Sequence, residues 1–202
     1  MDEWEHIPQT EDVLPAPGAD AGGMRRNLLE VSVAAAVLAV LVAVAAPAVA
    51  RPSGTVSTRA LTPLESGILL RLNAIRAEHK LAPLRVNPRL ATAADRHSHD
   101  MVARGFFDHN SVSASFQQRL RRLYGSSSSG RWSAGENILW SSAGLDPKQA
   151  LDLWMKSAPH RANILSSRWR EIGVSAVARA AAPGVYGGHD VVVVTTDFGY
   201  RG

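Results

Sequence analysis

An α+β domain is the fold class this sequence predicts, on three observations. Between residues 61 and 165 helix start signals follow one another, each with apolar residues at helical spacing behind it. From Glu171 onward the pattern changes to alternation, with Ile172, Val174 and Ala176 on one side and a β-branched run at Val191–Thr196. Helices first and strands last leave few crossovers, which argues against a doubly wound parallel sheet. The 202 residues suffice for one such domain with extensions.

In chain order, residues 1–23 carry six acids and no Lys or Arg, without a sustained apolar period, and read as a disordered acidic leader. Arg25 and Arg26 introduce Val31–Ala50, twenty residues of Ala, Val and Leu broken only by Ser32 and Pro47. A helix of that length spans about 30 Å, one bilayer core. Residues 24–50 therefore read as a transmembrane signal anchor or a signal peptide, and the protein meets the membrane through residues 31–50. Ala48-Val49-Ala50 ahead of Arg51 has the form of a cleavage site, and a start at Met24 would give the usual three-part secretory signal. The long leader favours a retained anchor. Arg25 and Arg26 place the N-terminus in the cytoplasm and the C-terminal domain outside, with Arg51 and Arg59 opposing that bias. Residues 51–60 are a Pro/Ser/Gly/Thr-rich linker, and residues 61–202 form the domain.

Within the domain, Thr62-Pro63-Leu64-Glu65 is a capping box, followed by Leu64, Ile68, Leu72 and Ile75 on one face. Asn87-Pro88 opens a second helix with Leu90, Ala91, Ala94, Met101 and Val102 as its stripe and Gly105 past its end. A short third helix carries Phe116, Leu120 and Leu123. Asp146-Pro147-Lys148-Gln149 caps a fourth, with Ala150, Leu151 and Trp154 inward, and Pro159 breaks it and starts a fifth through Ile164 and Leu165. Ala182-Pro183-Gly184 turns the chain between two antiparallel strands.

The absence of cysteine excludes thiolate zinc sites, iron–sulfur clusters and thiol nucleophiles. Residues 51–202 hold 20 Lys and Arg against 11 Asp and Glu, a basic body attractive to polyanions. No helix-turn-helix spacing or aromatic-interleaved basic stripe points to nucleic acid, so none is expected as a partner. Nucleophile elbows, phosphate loops and His-Glu-x-x-His are absent. The polar residues that stand out are Asp108-His109-Asn110-Ser111, Gly135-Glu136-Asn137 and Ser157–Asn163, all read as loops, where binding groups gather. Each has a plainer reading. Ser157 caps the fifth helix, Asn137 and Asn163 bond loop backbone, and His97 is a core histidine on the buried stripe of the second helix. Arg119, Arg121 and Arg122 read as a solvated basic face, and Trp132, Trp140 and Trp169 as core.

A wider pattern runs through Leu72-Asn73-Ala74-Ile75-Arg76, Leu81-Ala82-Pro83-Leu84, Gly105-Phe106-Phe107-Asp108-His109, Gly135-Glu136-Asn137-Ile138, Trp154–Leu165 and Asp197-Phe198-Gly199. In these residues the chain resembles the CAP superfamily of cysteine-rich secretory, antigen 5 and pathogenesis-related proteins, in its bacterial extracellular SCP-like branch. The resemblance implies an α–β–α sandwich around a central antiparallel sheet. It also implies a cleft in which two His and two Glu hold a divalent cation. His109 matches the first His, Glu136 the Glu of Gly-Glu-Asn and His160 the second His. Ser157 stands where many eukaryotic members have the second Glu, a departure that leaves a weaker site with zinc favoured over harder cations. Asp108, Ser111, Asn137, Ser157 and Asn163 would line the cleft. The function implied is an envelope-associated or secreted binding module for a lipid or an anionic cell-wall ligand. A hydrolase of peptide, lipid or wall is the alternative, using a zinc-bound water or Ser111 or Ser157 beside a His. A purely adhesive role for the basic surface is the third.

Overall fold

The computed structural model describes residues 59–127, 130–142 and 144–202. The acidic leader, the apolar segment Val31–Ala50 and the linker up to residue 58 lie outside the described residues. Among those described, no helix is long and apolar enough to cross a membrane.

Local hydrogen bonding explains where the helices start. In α1 (Pro63–Glu78) Thr62 accepts from the Glu65 N–H while the Glu65 carboxylate accepts from the Thr62 N–H. Asn87 Oδ1 accepts from Arg89 and Leu90 at the head of α2 (Pro88–Arg104), and Gly105 closes it in the left-handed region, φ 71°. Ser115 and Gln118 form a further capping box for α3 (Phe116–Leu123), and Asp146 with Gln149 does so for α4 (Pro147–Lys156). Each cap stabilises its helix by about 1 kcal/mol. α5 (Ala158–Leu165) follows α4 directly. Ser157 occupies its N-cap position but makes no side-chain cap bond, so the expected cap is one of position only.

The sheet contains β1 (Arg85–Val86), β2 (Trp132–Ser141), β3 (Glu171–Arg179) and β4 (Val191–Arg201) in the order β1-β3-β4-β2. β3 and β4 pair antiparallel as expected, and Val191–Val194 lies in the strand flanked on both sides. Two features correct the sequence expectation. The sheet is mixed rather than antiparallel, because β1 runs parallel to β3 through the bonds Arg85 N–H to Arg170 O and Asn87 N–H to Ile172 O. A two-residue strand shows no periodicity to read. Gly135-Glu136-Asn137 lies in the ten-residue strand β2, not in a loop. β2 is buried along both faces from Glu136 to Ser141, and such a strand does not display the apolar–polar alternation of a half-exposed one.

Successive β2 residues point to opposite faces of the sheet. Leu139 joins Ile68, Leu72, Trp154, Val194 and Phe198 in a core beneath α1, α4 and α5. Ile138 and Trp140 join Met101, Phe107 and Val193 beneath α2, and Leu90, Phe116, Leu120 and Tyr124 extend that layer under α3. The result is three layers, helices on both faces of the sheet. Arg76, fully buried on α1, donates to the carbonyls of Ala82, Ile164 and Ser166 at 3.0, 2.7 and 2.9 Å and so fixes the end of α5.

Helix α2 lies directly on β3 at Gly173, where an added Cβ would overlap the backbone of Leu90 and Ala91. Neither side of that contact is a flexible side chain, so relief requires α2 to move. Gly173→Ala is expected to lower stability by about 3 kcal/mol, read as a fall in the denaturant midpoint at unchanged slope.

Candidate functional site

The β2–β4 register sets Glu136 opposite Asp197, two carboxyl side chains with no exposed surface. An isolated buried charge is costly, so the surroundings must compensate or protonate it. Arg119 of α3 does most of this. Its Nη2 donates to Glu136 Oε2 at 2.7 Å and to the His109 carbonyl at 3.1 Å, and its Nη1 lies 3.5 Å from Asp197 Oδ2. The other Glu136 oxygen, Oε1, is 2.8 Å from His109 Nδ1. His97 of α2 approaches the same oxygen at 3.9 Å and holds the Asp108 carbonyl at 2.9 Å through Nε2. The ring of Phe116 lies 5.5 Å from the Arg119 guanidinium.

These contacts decide the charges. Burial pushes the Glu136 carboxyl up, but Arg119 and the His109 hydrogen bond outweigh it and hold the group below the usual carboxylate range. Asp197 goes the other way. Burial, and then the negative Glu136 beside it, raise it well above the usual range. Burial likewise lowers His97 to about 4, with Glu136 opposing and Arg119 assisting. Near neutral pH the cluster therefore holds one carboxylate, one guanidinium, a protonated Asp197 and an uncharged His97.

On the other face of β2, Asn137 Nδ2 donates to the His160 carbonyl at 3.1 Å, and Asn163 Nδ2 donates to the Glu136 carbonyl and to Asn137 Oδ1 at 3.0 and 2.8 Å. Gly135 makes room for this clasp, since a Cβ there would stand 2.7 Å from Asn163 Oδ1.

The structure thus brings together two of the three expected ligands. His109 and Glu136 touch, whereas His160 is buried on α5, where its backbone carbonyl accepts from Asn137 on the other face of β2. The reason is the pleat: Glu136 and Asn137 are neighbours in a strand, not in a loop. Among the described residues no group of three or more His, Asp or Glu side chains is placed to hold a metal ion. Asp108 and Ser111 do lie in a loop, where Asp108 Oδ1 accepts from the Asn110 N–H and the Ser111 hydroxyl donates to the Ala114 carbonyl at 3.0 Å. Asn137 and Asn163 bond backbone, as their plainer reading held, but between a strand and a helix.

Arg119 is a further correction, being buried rather than part of a solvated face. A signal for it existed: Phe116, Arg119, Leu120 and Leu123 fall at i, i+3, i+4 and i+7, one helical face. Asp197 likewise continues the inward alternation of Val193 and Thr195. Above the cluster opens a pocket of about 300 Å³, with His97, Ser111 and Arg119 in its lining and Arg96, Asp100 and Arg122 around them. The one acid in that lining, Asp100, is held by Arg104 at 2.6 Å.

A family model described as "CAP: Cysteine-rich secretory protein family" matches residues 69–195. The chain belongs to the CAP family. It is 31% identical to the uncharacterized protein YkwD of Bacillus subtilis over 134 residues, 65% of this chain and 50% of that protein. It is 33% identical to the uncharacterized membrane protein YlbC of the same organism over 114 residues, 56% of this chain and 31% of that one. The CAP chain thus spans half or less of these curated relatives. Among solved structures, an outer surface protein from Borrelia burgdorferi shares the fold with a TM-score of 0.52 at 16% identity, over 67% of this chain and 90% of that one.

The His97 shift has a defined pH window. A folded pKa of about 4 against 6.5 means the unfolded chain binds the extra proton first as pH falls. Stability is full above pH 6.5 and declines toward pH 4, by about 3 kcal/mol across the window. Denaturant unfolding at pH 7 and pH 4.5 measures the decline, and His97→Gln is expected to remove most of it.

Proposed function

We propose that this CAP domain is an envelope-associated or secreted binding module whose pocket over α2 and α3 receives the anionic group of a lipid or cell-wall ligand. The observation that carries the reading is the pocket. Its volume of about 300 Å³ fits the small end of ligand sites, and its exposed rim carries Arg96 and Arg122, with the single acid of the lining, Asp100, already bound by Arg104. A phosphate or carboxylate gains from that balance, whether it comes from a lipid headgroup or a wall polymer. Placement outside the cytoplasm is supported by Arg25-Arg26 ahead of the apolar run Val31–Ala50, and by the likeness to a protein named as a membrane protein. Binding is favoured over hydrolysis because the pocket serine, Ser111, spends its hydroxyl on both the N–H and the carbonyl of Ala114.

Two experiments test the proposal. Protease added to intact cells should digest the domain; protection until lysis would remove the outside placement. Glycerol phosphate oligomers should bind the full chain with an affinity that falls as salt rises. The double change Arg96→Glu and Arg122→Glu should weaken that binding about tenfold or more, read by titration calorimetry. Equal affinities for wild type and variant would take the pocket out of the reading.

A further inference from the structure

The family resemblance implies a divalent cation at His109, Glu136 and His160, and the residues present do not fit one. Both Glu136 oxygens are engaged, one by His109 and the other by Arg119, and α5 carries His160 on the opposite face of the sheet. The Arg119 guanidinium lies 2.7 Å from Glu136 Oε2 and 3.5 Å from Asp197 Oδ2, so the positive charge that faces both carboxyl groups belongs to a side chain. From this arrangement we infer that Arg119 is the resident cation of the centre: a side chain supplies the positive charge a bound divalent ion would supply, and the domain assembles without metal.

The chemistry of the donors is consistent with a guanidinium and not with an ion. Arginine stays charged at every physiological pH and brings a single positive charge, which one carboxylate balances. A zinc or calcium ion would bring two and would sit against a fixed positive charge. Its attraction to Glu136 would be opposed by Arg119 at similar range, in an interior that screens poorly. Arg119 is also anchored in ways an ion is not. It belongs to α3, it donates to the His109 carbonyl, and Phe116 packs near its plane, so the charge arrives with the helix as the chain folds. The inference goes beyond the binding reading and does not depend on it, because the pocket variants Arg96→Glu and Arg122→Glu leave all these contacts in place.

The test has two arms, both on the full chain. Protein purified without chelator is analysed for bound metal, and its thermal unfolding is followed with excess zinc and with excess calcium. The expected result is substoichiometric metal and an unchanged Tm. In the second arm, Arg119→Met and Glu136→Gln are each expected to lower Tm by about 10 °C or more, since each strands a buried charge. The double variant should lose less than the sum of the two, because a neutral pair strands none. Should the single variants fail to fold while the double variant folds, the same coupling is seen. One equivalent of zinc or calcium retained through dialysis by the wild type, with a matching rise in Tm, overturns the inference. So do single losses that simply add.

Discussion

The carboxylate of Glu136 has no contact with solvent, and much of the arrangement on that face of the sheet follows from keeping it charged there. Removing water from a carboxylate costs several kcal/mol even after the protein relaxes, more than any one cap or apolar contact in this domain returns. The compensation comes from two directions, Arg119 from α3 and His109 from the loop after α2, with the uncharged His97 of α2 packed 3.9 Å away. None of these is close to Glu136 in sequence. The charge therefore ties β2 to α2, α3 and the loop between them with a directionality that the surrounding apolar layer of Leu90, Phe116 and Leu120 lacks.

The same requirement orders the protonation states. With one guanidinium available, only one of the two facing carboxyls is ionised, and Glu136 wins because it holds the short Arg119 and His109 bonds while Asp197 stands farther from the guanidinium. Asp197 keeps its proton and His97 stays neutral, so the Glu136 carboxylate and the Arg119 guanidinium balance one another. On the rim of the pocket above the cluster, Arg96 and Arg122 are exposed and Asp100 is already matched by Arg104.

Much of this architecture was legible because its signals are local. Helix caps rest on side chains bonding backbone two or three residues away, so Thr62, Asn87 and Asp146 could be read in isolation. The apolar alternation of Ile172, Val174 and Ala176 in β3 could be read for the same reason. β2 could not, because burial on both faces erases the alternation and leaves Ser133-Ala134-Gly135-Glu136-Asn137 resembling a turn. Arg119 shows a different limit. Its position on the Phe116–Leu120–Leu123 face was readable, but whether a charged residue on an apolar stripe is buried depends on a distant carboxylate that only the fold supplies. The pleat turns Glu136 toward His109 and Asn137 toward the His160 carbonyl of α5, a separation of two residues adjacent in sequence that only the strand assignment reveals.

Gly135-Glu136-Asn137 then has three separate physical roles in consecutive positions. Gly135 leaves the space that Asn163 fills, Glu136 carries the charge that gathers α2 and α3, and Asn137 joins the clasp that holds α5. Each role is structural, and together they fix both helical layers to one strand. The exposed charges of the pocket lie elsewhere, on the turns of α2 and α3 at Arg96 and Arg122. Changing those residues alters the charge a ligand meets without disturbing a buried contact of the cluster. The assembly of the domain and the charge of the pocket rim therefore rest on different residues, so a chain can keep the first while the second varies.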